Sequence, residues 1–211
     1  MSVQVTGDGS NDGFALAKEA GAAGPMVLVV DGKQKDLSFV PPEGAGVEVV
    51  TQDSDLGREV MRHSTAHVLA QAVLRLYPGA KYSIGPPIEN GFYYDFEVEQ
   101  PFTPDDLERI EAEMRKIVKE NQRFERRVTT DADALVELKD EPYKIELIGL
   151  KGAGNSDDAA EGASVEVGAG ELTIYDNVGR DGRAAWSDLC RGPHLPTTKR
   201  IPAFKLMRSA A

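Results

Sequence analysis

Arg62-His63-Ser64-Thr65-Ala66-His67-Val68-Leu69 sits inside a longer pattern of apolar residues: Leu56, Val60, Ala66, Val68, Ala70, Val73, Leu74 and Leu76. Their recurrence at helical spacing predicts an α-helix. It begins after Thr51–Asp55, where Asp53, Ser54 or Asp55 offers a cap, and stops at Pro78-Gly79. On such a helix, positions four apart lie one turn apart on one face, so His63 and His67 project together. The chain has three histidines and one cysteine, and the remaining two of these residues repeat the spacing in Cys190-Arg191-Gly192-Pro193-His194. Gly192 and Pro193 interrupt any regular helix there, so this second pair is expected on a loop. If the two pairs face each other, they make one pocket with one thiol and three imidazoles.

Taken singly, each residue has an ordinary reading, since a lone histidine on an apolar helix face is usually packed into a core and a lone buried cysteine is usually inert. Together they point to a shared polar site, because packing gives no reason for histidines to occur only at these spacings. Three imidazole nitrogens and a thiolate suit the tetrahedral preference of zinc. They suit equally a metal-free site in which one imidazole, with an ordinary pKa of about 6.5, takes a proton from water. Spacing leaves both open.

Outward from this core, residues 1–52 are rich in Gly and Val, with strand-like pieces at Val3–Val5, Met26–Val30 and Val47–Val50 and a short helical pattern at Phe14–Ala20. Separated by turns at Asp31-Gly32 and Pro41-Pro42, they suggest a small α+β unit of ubiquitin-like (β-grasp) type. Beyond the helix, Lys81–Ile84 and Gly91–Val98 read as a β-hairpin around Gly85-Pro86-Pro87 and Asn90-Gly91. Thr103-Pro104-Asp105-Asp106 is a helix start: a capping hydroxyl, a first-turn proline, and two acids that favour the positive end of the helix dipole. A shorter helix is expected after Thr130, and strands at Tyr143–Leu150 and Glu171–Tyr175. Residues 151–170 are small, acidic and Gly-rich, which predicts a flexible surface insertion. The resulting division is 1–52 and 53–211, both α+β.

Composition narrows the function. A net charge of −11 argues against a protein that holds nucleic acid by blanketing phosphates with Lys and Arg. Any RNA contact is expected to be local, and Arg191, Lys199, Arg200, Lys205 and Arg208 form either a basic edge beside the second motif or a solvated charge run. The single cysteine excludes an internal disulfide. No apolar run approaches the roughly 20 residues of a membrane span, and Met1 is not followed by a secretion signal, so the expectation is a cytoplasmic protein with no membrane partner.

The stretch Arg62 to Leu69, together with Ile84-Gly85-Pro86-Pro87-Ile88-Glu89-Asn90-Gly91-Phe92-Tyr93-Tyr94-Asp95 and Asp188-Leu189-Cys190-Arg191-Gly192-Pro193-His194, closely resembles the editing domain of bacterial threonyl-tRNA synthetases. Alanyl-tRNA synthetases and free-standing alanyl-tRNA editing proteins share the constellation more distantly. Phe204-Lys205-Leu206-Met207-Arg208-Ser209 is similar to the segment by which that family leaves the editing domain. The resemblance covers nearly all of 53–211 and is fainter over the first fifty residues, whose position matches the small TGS domain that opens these synthetases.

The resemblance implies hydrolysis of mischarged seryl-tRNA(Thr) with threonyl-tRNA(Thr) spared. The rival readings are a trans-acting alanyl-tRNA-type deacylase and a non-catalytic zinc- or RNA-binding module. It implies His63, His67, Lys144, Asp188, Cys190 and His194 as catalytic residues, with His63 positioning or deprotonating the water. Tyr94, Gly85 and Asp95 fall on the substrate side, Tyr94 as a stacking face for the terminal adenine. It implies no metal requirement for the hydrolysis, with zinc at His63, His67, Cys190 and His194 as the alternative. ATP and the synthetic zinc belong to a catalytic core whose signature motifs nothing in this chain resembles. The expected partner is the acceptor end of tRNA(Thr) carrying serine, with no DNA; the family's parent enzymes are homodimers through that core, and this chain is expected to be a monomer.

Overall fold

The computed structural model describes residues 2–150 and 171–210; the expected insertion at 151–170 lies outside the described residues. The N-terminal unit is a four-stranded sheet in the order β1-β4-β2-β3, from β1 (Ser2–Thr6), β2 (Pro25–Val30), β3 (Lys33–Asp36) and β4 (Gly46–Thr51). All three pairings are antiparallel. Helix α1 (Gly13–Glu19), capped by Asp12, is the crossover between β1 and β2. Asp31 and Gly32, at φ 47° and 77°, form the two-residue turn between β2 and β3, and this backbone explains the Asp-Gly pair. Strand β3 is Lys-Gln-Lys-Asp, too charged to read as a strand beforehand.

Helix α2 (Asp55–Leu76) is capped by the Ser54 side chain, which accepts from the Gly57 N–H. Its middle is buried on every side from His63 to Val73, as expected of a helix threaded through a core rather than laid on one. It packs against β2, β4 and α3 (Pro104–Glu120). Helix α3 starts as the Thr103-Pro104-Asp105-Asp106 signal requires, with a reciprocal capping box between Thr103 and Asp106. Met26, Val27 and Val50 share one apolar cluster with Val60, Ala66, Val73, Ile110 and Ile117. The N-terminal sheet is therefore packed onto α2.

The hairpin is present as two short ladders rather than one. β5 (Lys81–Tyr82) pairs β8 (Phe96–Glu97), and β6 (Pro87–Ile88) pairs β7 (Gly91–Phe92). Pro86 and Pro87 supply no N–H, which breaks the pairing between them.

A second antiparallel sheet has the order β11-β10-β9, from β9 (Arg123–Thr129), β10 (Leu172–Val178) and β11 (Ala184–Leu189). The twofold alternation of strands sorts β10. Leu172 and Ile174 join Leu189 in a cluster with Ala134, Leu147 and Ile148, whereas Tyr175 joins the cluster of α2. Ala134 belongs to α4 (Asp131–Glu137), which Thr130 caps as expected.

Tyr143–Leu150 is a helix, α5 (Pro142–Gly149), and the strand expectation is corrected. Pro142 sets the first turn, and the buried residues Lys144, Leu147 and Ile148 recur at three and four. That helical face was hidden by the β-branched and aromatic composition of the segment. Among the described residues, no helix is long and apolar enough to cross a membrane.

Candidate functional site

Three elements converge. Helix α2 carries His63 and His67 on one face. Because Tyr175 pairs directly with Asp188 across β10 and β11, the alternation of β11 places Trp186, Asp188 and the following Cys190 on the side that faces α2. The chain then turns through Gly192 (φ 69°) and Pro193 and returns His194 to the same point. A Cβ on Gly192 would lie 2.0 Å from the Tyr175 hydroxyl, so the close approach of this loop to Tyr175 requires glycine.

The four histidine and cysteine donors lie within 4.8 Å of one another, all buried. Cys190 Sγ is 3.4 Å from His63 Nε2 and 3.5 Å from His194 Nε2, and it also accepts the Gly192 N–H at 3.2 Å. The ring centroids of His67 and His194 are 4.1 Å apart. Ser64, one residue along α2, orients the loop: its Oγ is 3.1 Å from His194 Nδ1 and accepts the Leu195 N–H at 3.0 Å. Phe124 stacks on the His194 ring, and Trp186 meets His67 edge-on.

All three imidazoles are held neutral. Burial pulls His63 down to about 4, helped by the charges of Lys144 and Arg191. Burial, then the neighbouring imidazoles, pushes His67 and His194 well below the ordinary histidine value.

Beside this cluster lies a buried charge pair. Lys144 Nζ is 2.9 Å from Asp188 Oδ1, with both side chains 0 % exposed. Lys144 also donates to the Tyr94 hydroxyl at 3.1 Å, which in turn donates to Asp188 Oδ2 at 2.8 Å. Burial raises the Asp188 pKa and the ammonium and phenol oppose that rise. The pair connects to the histidines through His67, whose Nε2 is 3.6 Å from Asp188 Oδ2.

The structure thus brings together His63, His67, Lys144, Asp188, Cys190 and His194. Of the three residues expected on the substrate side, Gly85 and Tyr94 pack on each other and Asp95 is exposed. Tyr94 is buried, its ring stacked on Phe96 and resting on Gly85, where an added Cβ would fall 2.2 Å from the ring. That placement gives the ring a packing role and the hydroxyl a polar one. Asp95 is exposed, and its main chain pairs with Ser83 and Ile84. Sequence reasoning missed Ser64, Tyr175, Trp186 and Asp36. Ser64 had a signal, its position between two histidines of one motif; the others had none.

The donor set fits a metal ion. Around tetrahedral zinc, with Zn–N of about 2.0 Å and Zn–S of about 2.3 Å, neighbouring donors stand roughly 3.3–3.8 Å apart, and the two sulfur–nitrogen distances fall in that range. Neither ring nitrogen of His67 has a hydrogen-bond partner, which is what an open coordination position leaves.

Residues 172–211 match the family model described as threonyl and alanyl tRNA synthetase second additional domain. The match takes in Asp188, Cys190 and His194. Curated relatives extend the likeness upstream. The chain is 68% identical over 193 residues to a threonine-tRNA ligase of Nocardioides sp., covering 89% of this chain and 29% of that protein. Against the threonine-tRNA ligase of Thermobifida fusca it is 58% identical over 209 residues, 99% of this chain and 31% of the relative. Against that of Streptomyces coelicolor it is 60% identical over 193 residues, 91% and 29%. The chain therefore spans about three-tenths of the length of the curated relatives it matches. The matched segment supplies the loop half of the site, and the helix of His63 lies upstream of it.

Proposed function

We propose that this chain is the editing region of a threonyl-tRNA synthetase, which hydrolyses the ester of seryl-tRNA(Thr) and spares threonyl-tRNA(Thr). In this reading residues 1–52 form a TGS-like, ubiquitin-type unit and 53–211 the hydrolytic domain, working in the cytoplasm. The observation that carries it is the convergence of His63, His67, Cys190 and His194 within 4.8 Å, next to the buried Lys144–Asp188 pair. Similarity to threonine-tRNA ligases supplies the substrate.

The chemistry needs a base, an electrostatic stabiliser and a sieve. A neutral His63 keeps an imidazole lone pair that, once turned from the Cys190 sulfur, could accept a proton from water near neutral pH, and general base assistance contributes typically about 10²–10⁴-fold. Its low pKa, about 4, makes it a weak base that is always in its working form. Lys144 places a positive charge where the ester oxygen becomes negative. In this reading Asp188 holds that ammonium and accepts from the seryl amine or hydroxyl. Cys190 and His194 flank the ribose and the seryl group. Serine differs from threonine by one methyl, a difference worth only about 1–3 kcal/mol in a binding pocket. Synthesis therefore makes errors that a second, smaller pocket removes. Exposed Arg191, Lys199 and Arg200 give the local positive charge that an acceptor end requires.

The reaction is proposed to run without metal. A zinc ion, if bound, would be held by His63, His67, Cys190 and His194; four protein donors make the closed set of a structural site, and a Lewis-acid role would need one of them to leave the metal. A structural zinc module without hydrolysis is the second reading, favoured by the unpartnered His67 nitrogens.

The test is a side-by-side deacylation assay with Ser-tRNA(Thr), Thr-tRNA(Thr) and Ser-tRNA(Ala). Preference for the first supports the proposal. Preference for Ser-tRNA(Ala) supports an alanyl-type deacylase, and no hydrolysis together with loss of fold on chelation supports the zinc module.

A further inference from the structure

One acidic side chain reaches the site from the N-terminal sheet. Asp36, the last residue of β3, accepts the backbone N–H of His194 at 3.0 Å through Oδ1 and the Tyr175 hydroxyl at 2.8 Å through Oδ2. Its partners are 158 and 139 residues away along the chain. Burial raises the Asp36 pKa, and its two hydrogen bonds and the charges of Arg126 and Lys35 oppose that rise; Arg126 is the β9 residue paired with Tyr175.

Both groups that Asp36 holds fix the same ring. The N–H belongs to His194 itself. The Tyr175 ring meets the His194 ring edge-on, with centroids 4.5 Å apart, and its hydroxyl lies under Gly192, the residue on which the loop turns. A carboxylate accepting two such bonds is a stronger anchor than a neutral acceptor. The ring it steadies contacts Cys190 Sγ and lies beside His67.

We infer that Asp36 is a positioning residue of the hydrolytic centre, so that the N-terminal unit is a working part of that centre rather than an appendage to it. This rests on the proposed hydrolysis. Misplacing a reacting group by about 1 Å costs on the order of a hundredfold, and the rate, rather than substrate capture, should register the loss of Asp36.

The experiment compares Asp36→Ala, Asp36→Asn and Tyr175→Phe in the full chain, measuring kcat and KM on seryl-tRNA(Thr) and the hydrogen exchange of the His194 amide by NMR. Asp36→Ala should lower kcat roughly tenfold to a hundredfold, leave KM within about twofold, and speed His194 exchange. Asp36→Asn retains an acceptor for the His194 N–H and should recover most of kcat. Wild-type kcat in Asp36→Ala, a loss confined to KM, or an Asn variant as impaired as Ala overturns the inference. If Asp36→Ala does not fold, Tyr175→Phe decides: a reduced kcat at constant KM supports the inference and an unchanged kcat refutes it. If the unmodified chain does not hydrolyse seryl-tRNA(Thr), the hydrolytic reading fails by itself. His194 exchange in Asp36→Ala then decides the anchoring alone, faster exchange supporting it and unchanged exchange refuting it.

Discussion

Lys144 on α5 and Asp188 on β11 form an ion pair of 2.9 Å with neither side chain exposed to solvent. A pair in that setting is sustained by its hydrogen bonds, here those of the Tyr94 hydroxyl to both partners. Removing one partner leaves the other charge buried and uncompensated. Lys144→Ala or Asp188→Ala should each destabilise the chain by about 3–5 kcal/mol, and the double replacement by clearly less than the sum. Chemical denaturation of the three variants checks this, and single variants within about 1 kcal/mol of the parent would show the pair to be dispensable. Loss of activity in Lys144→Ala must therefore be read against its stability.

Acid should weaken the fold through the histidines. In the unfolded chain each takes up a proton through about 6.5, whereas folded His63 refuses one until about 4, and His67 and His194 are also pushed down. The unfolded state binds more protons in that window, so stability is complete above 6.5 and is lost as pH falls from about 6.5 towards 4. Denaturation midpoints in chelator across this range measure it. A flat profile would mean that the imidazoles are not buried neutral.

Gly192→Ala should distort the site. Its backbone lies at φ 69°, costly for a residue with a Cβ, and the new methyl would meet the Tyr175 hydroxyl at 2.0 Å. Strain of this kind is worth about 1–3 kcal/mol, with the Cys190 loop displaced from α2. Equilibrium unfolding of the variant, together with the His194 ring signals by NMR, reads both effects.

The metal question has its own outcome. Chelator-treated protein should keep its deacylation rate within about twofold; the metal-dependent alternative, in which zinc generates the nucleophile, predicts loss of rate restored by zinc. Zinc at the four donors would occupy the His63 lone pair, so on the metal-free account added zinc should lower the rate.

Much of this architecture was legible in the sequence where local chemistry and packing agreed. The cap at Thr103, the Asp31-Gly32 turn, the α2 periodicity and the Gly192-Pro193 loop each follow from residues that prefer one backbone state. The strands β3 and β9 were not legible, because Lys33, Lys35, Arg123 and Arg126 interrupt the alternation that identifies a strand, and β11 was not because Ala184, Ala185, Ser187 and Asp188 carry little strand propensity. Helix α5 was misread because its β-branched and aromatic composition favours strand, although its buried positions are helical. The six candidate site residues were named from spacing and resemblance, but their mutual support was not. Only folding puts Asp36 against His194, Ser64 against the loop and Tyr94 between Lys144 and Asp188.

The most direct measurement is the initial rate of seryl-tRNA(Thr) deacylation by the unmodified chain and by His63→Ala, with the fold of both verified by circular dichroism. The account predicts hydrolysis well above the spontaneous rate and a fall of about 10²–10⁴-fold in the variant. Equal rates in the two proteins, both folded, would contradict it.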